Sequence, residues 1–222
     1  MPRQARFVLS GQLHHVTQRG NYRQNIFNDD EDRVCYLTLI NRYAQEYHNE
    51  IYAFCLMNNH VHFIIKPKEQ YSLAGIFCRA HQQYSLYLHK KKDIQGHLWQ
   101  ERFYSCLLQG SHIHKAIKYV ERNPVRAGIV IQPWNYHWSS AKAHLGTQYN
   151  IINLSDIKKH VNVSNWKDFL SDNEDEHDIK AIQEATRKGS VFGTPDYIKN
   201  LEEKYQIRLL SKPPGRPKKI NV

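Results

Sequence analysis

The chain has 222 residues, 41% of them hydrophobic, so it is long enough to bury a core and too apolar to be disordered throughout. Lys and Arg number 31 against 21 Asp and Glu, a formal net charge of +10, which makes a polyanion such as nucleic acid the natural partner. No apolar run reaches the ~18 residues of a membrane span, no signal-peptide core is visible, and the four cysteines include no CxxC pair. A disulfide framework, a zinc knuckle and a membrane partner are therefore not expected, and the composition reads as cytosolic.

The elements in chain order are as follows. Arg6 to Thr17 alternates as a strand does, with a polar turn at Gln18-Arg19-Gly20-Asn21. Asp29-Asp30-Glu31-Asp32 opens a helix carrying Val34, Leu37, Ile40 and Ala44 on one face, and acids there suit the positive end of the dipole. His48-Asn49-Glu50 ends it. Ile51 to Met57 reads as a buried strand, Asn58-Asn59 as a turn, and His60 to Ile65 as a second strand stopped by Pro67. Tyr71 to Lys92 is helical, with Leu73, Ile76, Phe77, Ala80, Tyr84, Tyr87 and Leu88 along one side. Trp99 to Leu108 reads as a strand, and Ser111 caps a helix running to Asn123, where Pro124 terminates it. Hairpins mixed with helices predict an α+β fold, a largely antiparallel sheet with helices on one face.

Beyond residue 150 the character changes. Residues 1–150 hold 18 Lys and Arg against 10 Asp and Glu, whereas residues 151–222 hold 13 against 11. This divides the chain into a basic main domain, 1–150, and a mostly helical extension, 151–222. In the extension the acidic run Ser171 to Asp178 reads as a surface loop, with short helices at Ile179–Lys188 and Pro195–Tyr205. The terminal Lys212-Pro213-Pro214-Gly215-Arg216-Pro217-Lys218-Lys219 cannot build a core.

Chemistry concentrates at two places. In the strand His60-Val61-His62 the two imidazoles project from one face, about 7 Å apart at their backbones, and can converge on one divalent ion. An isolated pair of this kind is more often two half-buried histidines satisfied by hydrogen bonds. The same pattern at His112-Ile113-His114 opens a helix, where residues two apart diverge, and His14-His15 face opposite ways; neither pair suits a shared metal. The second place is Tyr119 and Asn123, four apart at a helix end and so on one face. Tyr84 and Tyr87, and the cluster Trp134, Tyr136 and Trp138, are possible base-stacking groups, although core packing is the commoner use of such rings.

Several stretches in order resemble the REP-associated tyrosine transposases, bacterial relatives of the single-tyrosine HUH transposases. They are His14 to Asn21, Cys55 to His62, Leu98 to Phe103, Tyr119 to Gly128 and Trp138-Ser139-Ser140, within about residues 6–146. The resemblance implies a ferredoxin-like fold, with the histidine pair on a central strand and the tyrosine on a helix alongside. It implies that His60 and His62 bind Mg²⁺ or Mn²⁺ with Asn123 as third ligand, Glu121 being a poorer substitute. Tyr119 would be the nucleophile that cleaves single-stranded, hairpin-bearing DNA through a 5′-phosphotyrosine. Many members carry proline where this chain has Asn58, which alters turn stiffness but not ligand supply.

Nucleic-acid contacts are expected from Arg19, Arg102 and Arg126 within those motifs and from Lys90 and Lys91 at a helix end. Arg216 and Lys218 lie in a tail resembling an AT-hook arm. The enzyme would lie in the bacterial cytoplasm, at the nucleoid when bound to DNA, as a monomer or homodimer with no obligatory protein partner. The competing reading is the same fold binding hairpin DNA or RNA without cleaving it; the intact His60, His62 and Tyr119 set favours the enzyme.

Overall fold

The computed structural model describes residues 6–209. Its first part runs β1 (His14–Arg19), α1 (Asp30–Glu46), β2 (Asn49–Met57), β3 (His60–Pro67), α2 (Ser72–Lys92) and β4 (Tyr104–Leu108). There follow α3 (Ile113–Glu121), α4 (Asn123–Arg126), α5 (Ala141–His144), α6 (Trp166–Ser171), α7 (Glu176–Lys188), β5 (Val191–Phe192) and α8 (Pro195–Tyr205). The sheet order is β2-β3-β1-β4-β5. The first four strands are antiparallel neighbours in βαββαβ order, the ferredoxin-like arrangement, and β5 adds a parallel edge against β4.

Local chemistry accounts for the helix starts. Asp29 caps α1 by accepting from the Asp32 amide at 2.9 Å, an interaction typically worth about 1 kcal/mol. Leu37, Ile40 and Ala44 are buried as the spacing predicts, but Val34 is exposed because Tyr36 and Tyr43 take the inward face. The β1 and β4 strands are shorter than the sequence pattern predicts: residues 6–13 are irregular, and Trp99 makes only an isolated bridge to Gly20.

The helix expected from Ser111 to Asn123 is broken. His112 caps α3, and Arg122 (φ −88°, ψ 1°) separates α3 from α4. Pro124 has no N–H to return to Val120, so the ladder cannot pass through it, but it suits the first turn of a new helix.

Helices cover both faces of the sheet, not one. Every residue of β3 from Val61 to Ile65 is buried. Phe63 packs on Phe77 of α2 at 5.9 Å and on Tyr36 of α1 at 6.3 Å, while His62 on the other face meets Tyr119 of α3. Residues after 150 join this core. Ile152, Trp166, Leu170, Ile182 and Phe192 belong to the same buried cluster as Phe54 and Phe63. Gly189, in the left-handed region at φ 65°, ends α7 and turns the chain into β5.

The back of α3 is pinned by one buried carboxylate. Glu121 accepts from Ser140 Oγ at 2.5 Å, His144 Nδ1 at 2.6 Å and Trp166 Nε1 at 2.9 Å, joining α3 to α5 and α6. Removing it strands the buried His144 and Trp166 donors and leaves Ser140 Oγ only the Phe54 carbonyl, at 3.3 Å. Glu121→Ala should therefore lower unfolding free energy by about 3–5 kcal/mol in urea titrations; a loss below 1 kcal/mol would show that the cluster is dispensable.

Candidate active site

A cavity of about 520 Å³ opens between the sheet, α3 and α7, and His60, His62, Tyr119, Asn123 and Arg19 all line it. In the antiparallel register Thr17 opposes His62 and Arg19 opposes His60. The pleat then brings Arg19, Thr17 and His15 of β1 to the same face as the two histidines. His60 and His62 lie with ring centroids 5.0 Å apart, nearly perpendicular. The Tyr119 ring stands edge-on to His62 and to His15, 5.6 Å from each.

Hydrogen bonds assign the imidazole tautomers. His60 Nδ1 lies 2.6 Å from the amide oxygen of Asn59, which only accepts, so Nδ1 carries the proton and Nε2 the lone pair. His62 is set by a longer chain. Thr186 Oγ donates to the Ile182 carbonyl at 2.7 Å, so it accepts from His15 Nδ1 at 2.8 Å. His15 Nε2 then accepts from His62 Nδ1 at 2.9 Å, again leaving Nε2 of His62 free. Both lone pairs are thus available to a metal, held by outer hydrogen bonds of the kind that orient histidine ligands.

Burial keeps these rings neutral. It pushes His60 down to about 4 and His15 down to about 3, and it holds His62 well below the usual imidazole range; nearby Arg126 and, for His60 and His62, Arg19 add to the effect. Away from the cavity, burial lowers His14 to about 4 and His81 to about 3. The Tyr119 phenol is raised by burial, opposed by the Arg126 guanidinium 4.2 Å over its ring and by a hydrogen bond from Gln183.

Asn123 donates from Nδ2 to the Tyr119 carbonyl at 3.4 Å, which leaves its amide oxygen for the cavity. Among the described residues no three His, Cys, Asp or Glu side chains are grouped to hold a metal; the Asn123 amide lines the same cavity as the two histidines. Glu121 points to the opposite side of α3.

The basic residues divide. Arg19 lines the cavity and is exposed. Arg126 also lines it, but its guanidinium is bound to Glu174 at 2.6 Å and to the Tyr119 carbonyl at 2.6 Å, so it positions the tyrosine instead of offering a free phosphate contact. Arg102 lies in a neighbouring groove, and Lys90 is exposed at the end of α2. Lys91 is caged by Asp29 at 2.7 Å and Asp32 at 2.9 Å, which neutralises its charge within the fold. Arg216 and Lys218 lie outside the described residues.

The aromatic candidates for stacking lie in the core or half-buried against it. Tyr84, Tyr136 and Trp138 are buried, Tyr87 bonds Asp32, and Trp134 is covered by Lys167. His112 and His114 do not converge: His112 packs on Phe192, and His114 lines a separate groove.

Sequence reasoning missed His15, Gln183, Thr186 and Glu174. The alternation of β1 already placed His15 and Thr17 on one face, but which face meets His62 depends on register. Gln183 and Thr186 carry no local signal at all. Glu174 sits in a run read as a surface loop, yet it is nearly buried between Arg122 and Arg126.

A ferredoxin-like sheet that presents a histidine pair to a helix-borne tyrosine defines the class. Residues 9–123, just over half the chain, match the family model described as transposase IS200 like, and the chain belongs to that family. Among solved structures, a REP-associated tyrosine transposase bound to a REP hairpin shares the fold. It is 18% identical with a TM-score of 0.56, over 74% of this chain and 96% of that one. A transposase candidate from Deinococcus radiodurans R1 is a more distant likeness, 16% identical with a TM-score of 0.37, over 58% of this chain and 92% of that one. No curated protein matches the sequence.

The buried histidines make the fold acid-sensitive. His14, His15, His60, His62 and His81 have lowered values in the folded state, so the stability they contribute is complete above the unfolded value of about 6.5 and is lost as pH falls below it. His144 runs the other way: burial lowers it, but Glu121 outweighs burial and raises it, so its small contribution fades as pH rises. The urea midpoint should fall steeply between pH 7 and pH 5 at constant ionic strength. A flat profile would show that these rings are not buried neutral.

Proposed function

We propose that this chain is a divalent-metal-dependent nuclease and strand transferase acting on single-stranded, hairpin-bearing DNA, with Tyr119 as nucleophile. The observation that carries the reading is the convergence of Tyr119 on the His60 and His62 pair in one cavity. Family membership supports strand transfer, and the REP hairpin held by a transposase of the same fold supports the choice of substrate.

His60 Nε2, His62 Nε2 and the Asn123 amide oxygen would hold Mg²⁺ or Mn²⁺, and phosphate oxygens of the DNA and water would complete the oxygen-rich shell such ions prefer. The bound ion supplies charge that polarises the scissile phosphate. Tyr119 Oη attacks phosphorus and loses its proton, with Arg126 over the ring favouring the anion against the cost of burial. A phosphorus–tyrosine bond forms on the 5′ side while the bond to the 3′ oxygen breaks, and that oxygen takes up a proton as a 3′-hydroxyl. Attack by another 3′-hydroxyl reverses the exchange, so no external energy is consumed. Arg19 is placed to meet a phosphate at the mouth.

A labelled hairpin with single-stranded flanks, incubated with protein and Mn²⁺, should give a covalent adduct that survives denaturation. Tyr119→Phe should give none, and the His60→Ala, His62→Ala double variant should lose both adduct and metal binding. An adduct on Tyr119→Phe would remove the nucleophile from this reading.

The outer hydrogen bonds make a separate claim. Thr186→Val removes the acceptor for His15 Nδ1, frees His62 to take the other tautomer, and should weaken Mn²⁺ binding in calorimetry roughly 10–100-fold. Thr186→Ser should restore it. Equal affinity in all three proteins would show that the chain does not orient His62.

A further inference from the structure

The rings expected to stack on bases are buried or half-buried against the core, whereas one that carried no such expectation stands in solvent beside the site. Tyr22 is 94% exposed, the highest value among the exposed large hydrophobic side chains of the described residues. It lies three residues after the cavity residue Arg19, on a turn with two consecutive non-glycine residues in the left-handed region, Tyr22 at φ 51° and Arg23 at φ 61°. L residues rarely adopt this conformation, and a pair of them persists only where the surroundings over-determine the backbone.

The clamps are visible. Gly20 N donates to the Asn59 carbonyl at 2.9 Å, Asn21 N to the Leu98 carbonyl at 2.8 Å, and Asn59 Nδ2 to the Arg23 carbonyl at 3.0 Å. At Gly20 a Cβ would stand 2.4 Å from the Gln24 carbonyl oxygen, so the turn closes too tightly for any other residue. Asn59, which holds Arg23, also holds His60 Nδ1. The turn is therefore rigidly tied to the histidine pair, and its strain projects an aromatic ring and the exposed Arg23 away from the core.

We infer that Tyr22 is a stacking platform for an unpaired base of the DNA strand that enters or leaves the site, with Arg23 beside it for the adjoining phosphate. A ring on a pre-set turn loses little freedom on binding and accepts any base face. This inference rests on the proposed action on single-stranded DNA and names where an unpaired nucleotide is held.

The test uses full-length protein and two probes, a hairpin with single-stranded flanks carrying 2-aminopurine at successive positions and the same hairpin without flanks. Tyr22→Ala should weaken binding of the flanked hairpin about tenfold, in line with ~1–3 kcal/mol for one stacked base, and leave the blunt hairpin unchanged. It should also abolish the fluorescence quenching seen at one flank position. Tyr22→Trp should keep the affinity. Tyr22→Gly should bind as weakly as the alanine variant while its Tm is equal to or above that of the parent, because glycine suits the backbone there. Unchanged affinity in Tyr22→Ala and Tyr22→Gly, or an equal loss on both probes, would overturn the inference. If the parent protein itself binds both hairpins alike, the single-strand reading fails first, and the stacking site fails with it.

Discussion

The period-two pleat of β3 makes one strand serve two interiors. Phe63 faces the aromatic core under α1 and α2, and the alternate His60 and His62 face the cavity under α3. A shift of one residue in its pairing with β1 would exchange the two sets, placing imidazoles in the apolar core and a phenyl ring in the site. Register is therefore held by both faces at once. Burial of large side chains, at roughly 1.5–3 kcal/mol each, opposes any slip. The geometry of the candidate site is thus a by-product of the same packing that stabilises the sheet.

The site is completed from the far end of the chain. The hydrogen bonds from Ile182 through Thr186 and His15 to His62 join α7, β1 and β3. Glu174, in the turn before α7, pairs with Arg122 and with Arg126, the latter where it lies over Tyr119. Placing a guanidinium over a buried phenol costs desolvation, and a buried carboxylate partner offsets it. These contacts make residues after 150 part of the machinery in structural terms, and within the acidic run they hold Glu174 against the body while Asp172 and Glu176 stay in solvent.

Charge and aromaticity turn out to be spent in different places. Lys91 and Arg126, both cationic and close to proposed functional segments, are consumed by Asp29, Asp32 and Glu174. Arg19 and Arg23 stay exposed next to the cavity. Most tyrosines pack inward, and a strained turn holds Tyr22 out. Net charge and aromatic content describe the whole chain, but a nucleic acid meets only what the fold leaves uncovered.

Local pattern alone determined a good deal: the βαββαβ order, the acidic cap of α1, the shared face of His60 and His62, and the family resemblance carried by the segments around them. These depend on nearest-neighbour backbone geometry, which a short stretch of residues specifies. The break at Pro124 was legible in kind but misplaced by two residues, because a proline can open a new helix as well as end one. What only the tertiary structure decided was the second helical layer, the β5 edge, the convergence of His15, Thr186 and Gln183 on the cavity, and the pairing of Glu174 with Arg126. His15 and Thr186 stand 171 residues apart, and their hydrogen bond exists only because β1 and α7 bury apolar area against one another. No periodicity encodes a partner at that distance; packing selects it.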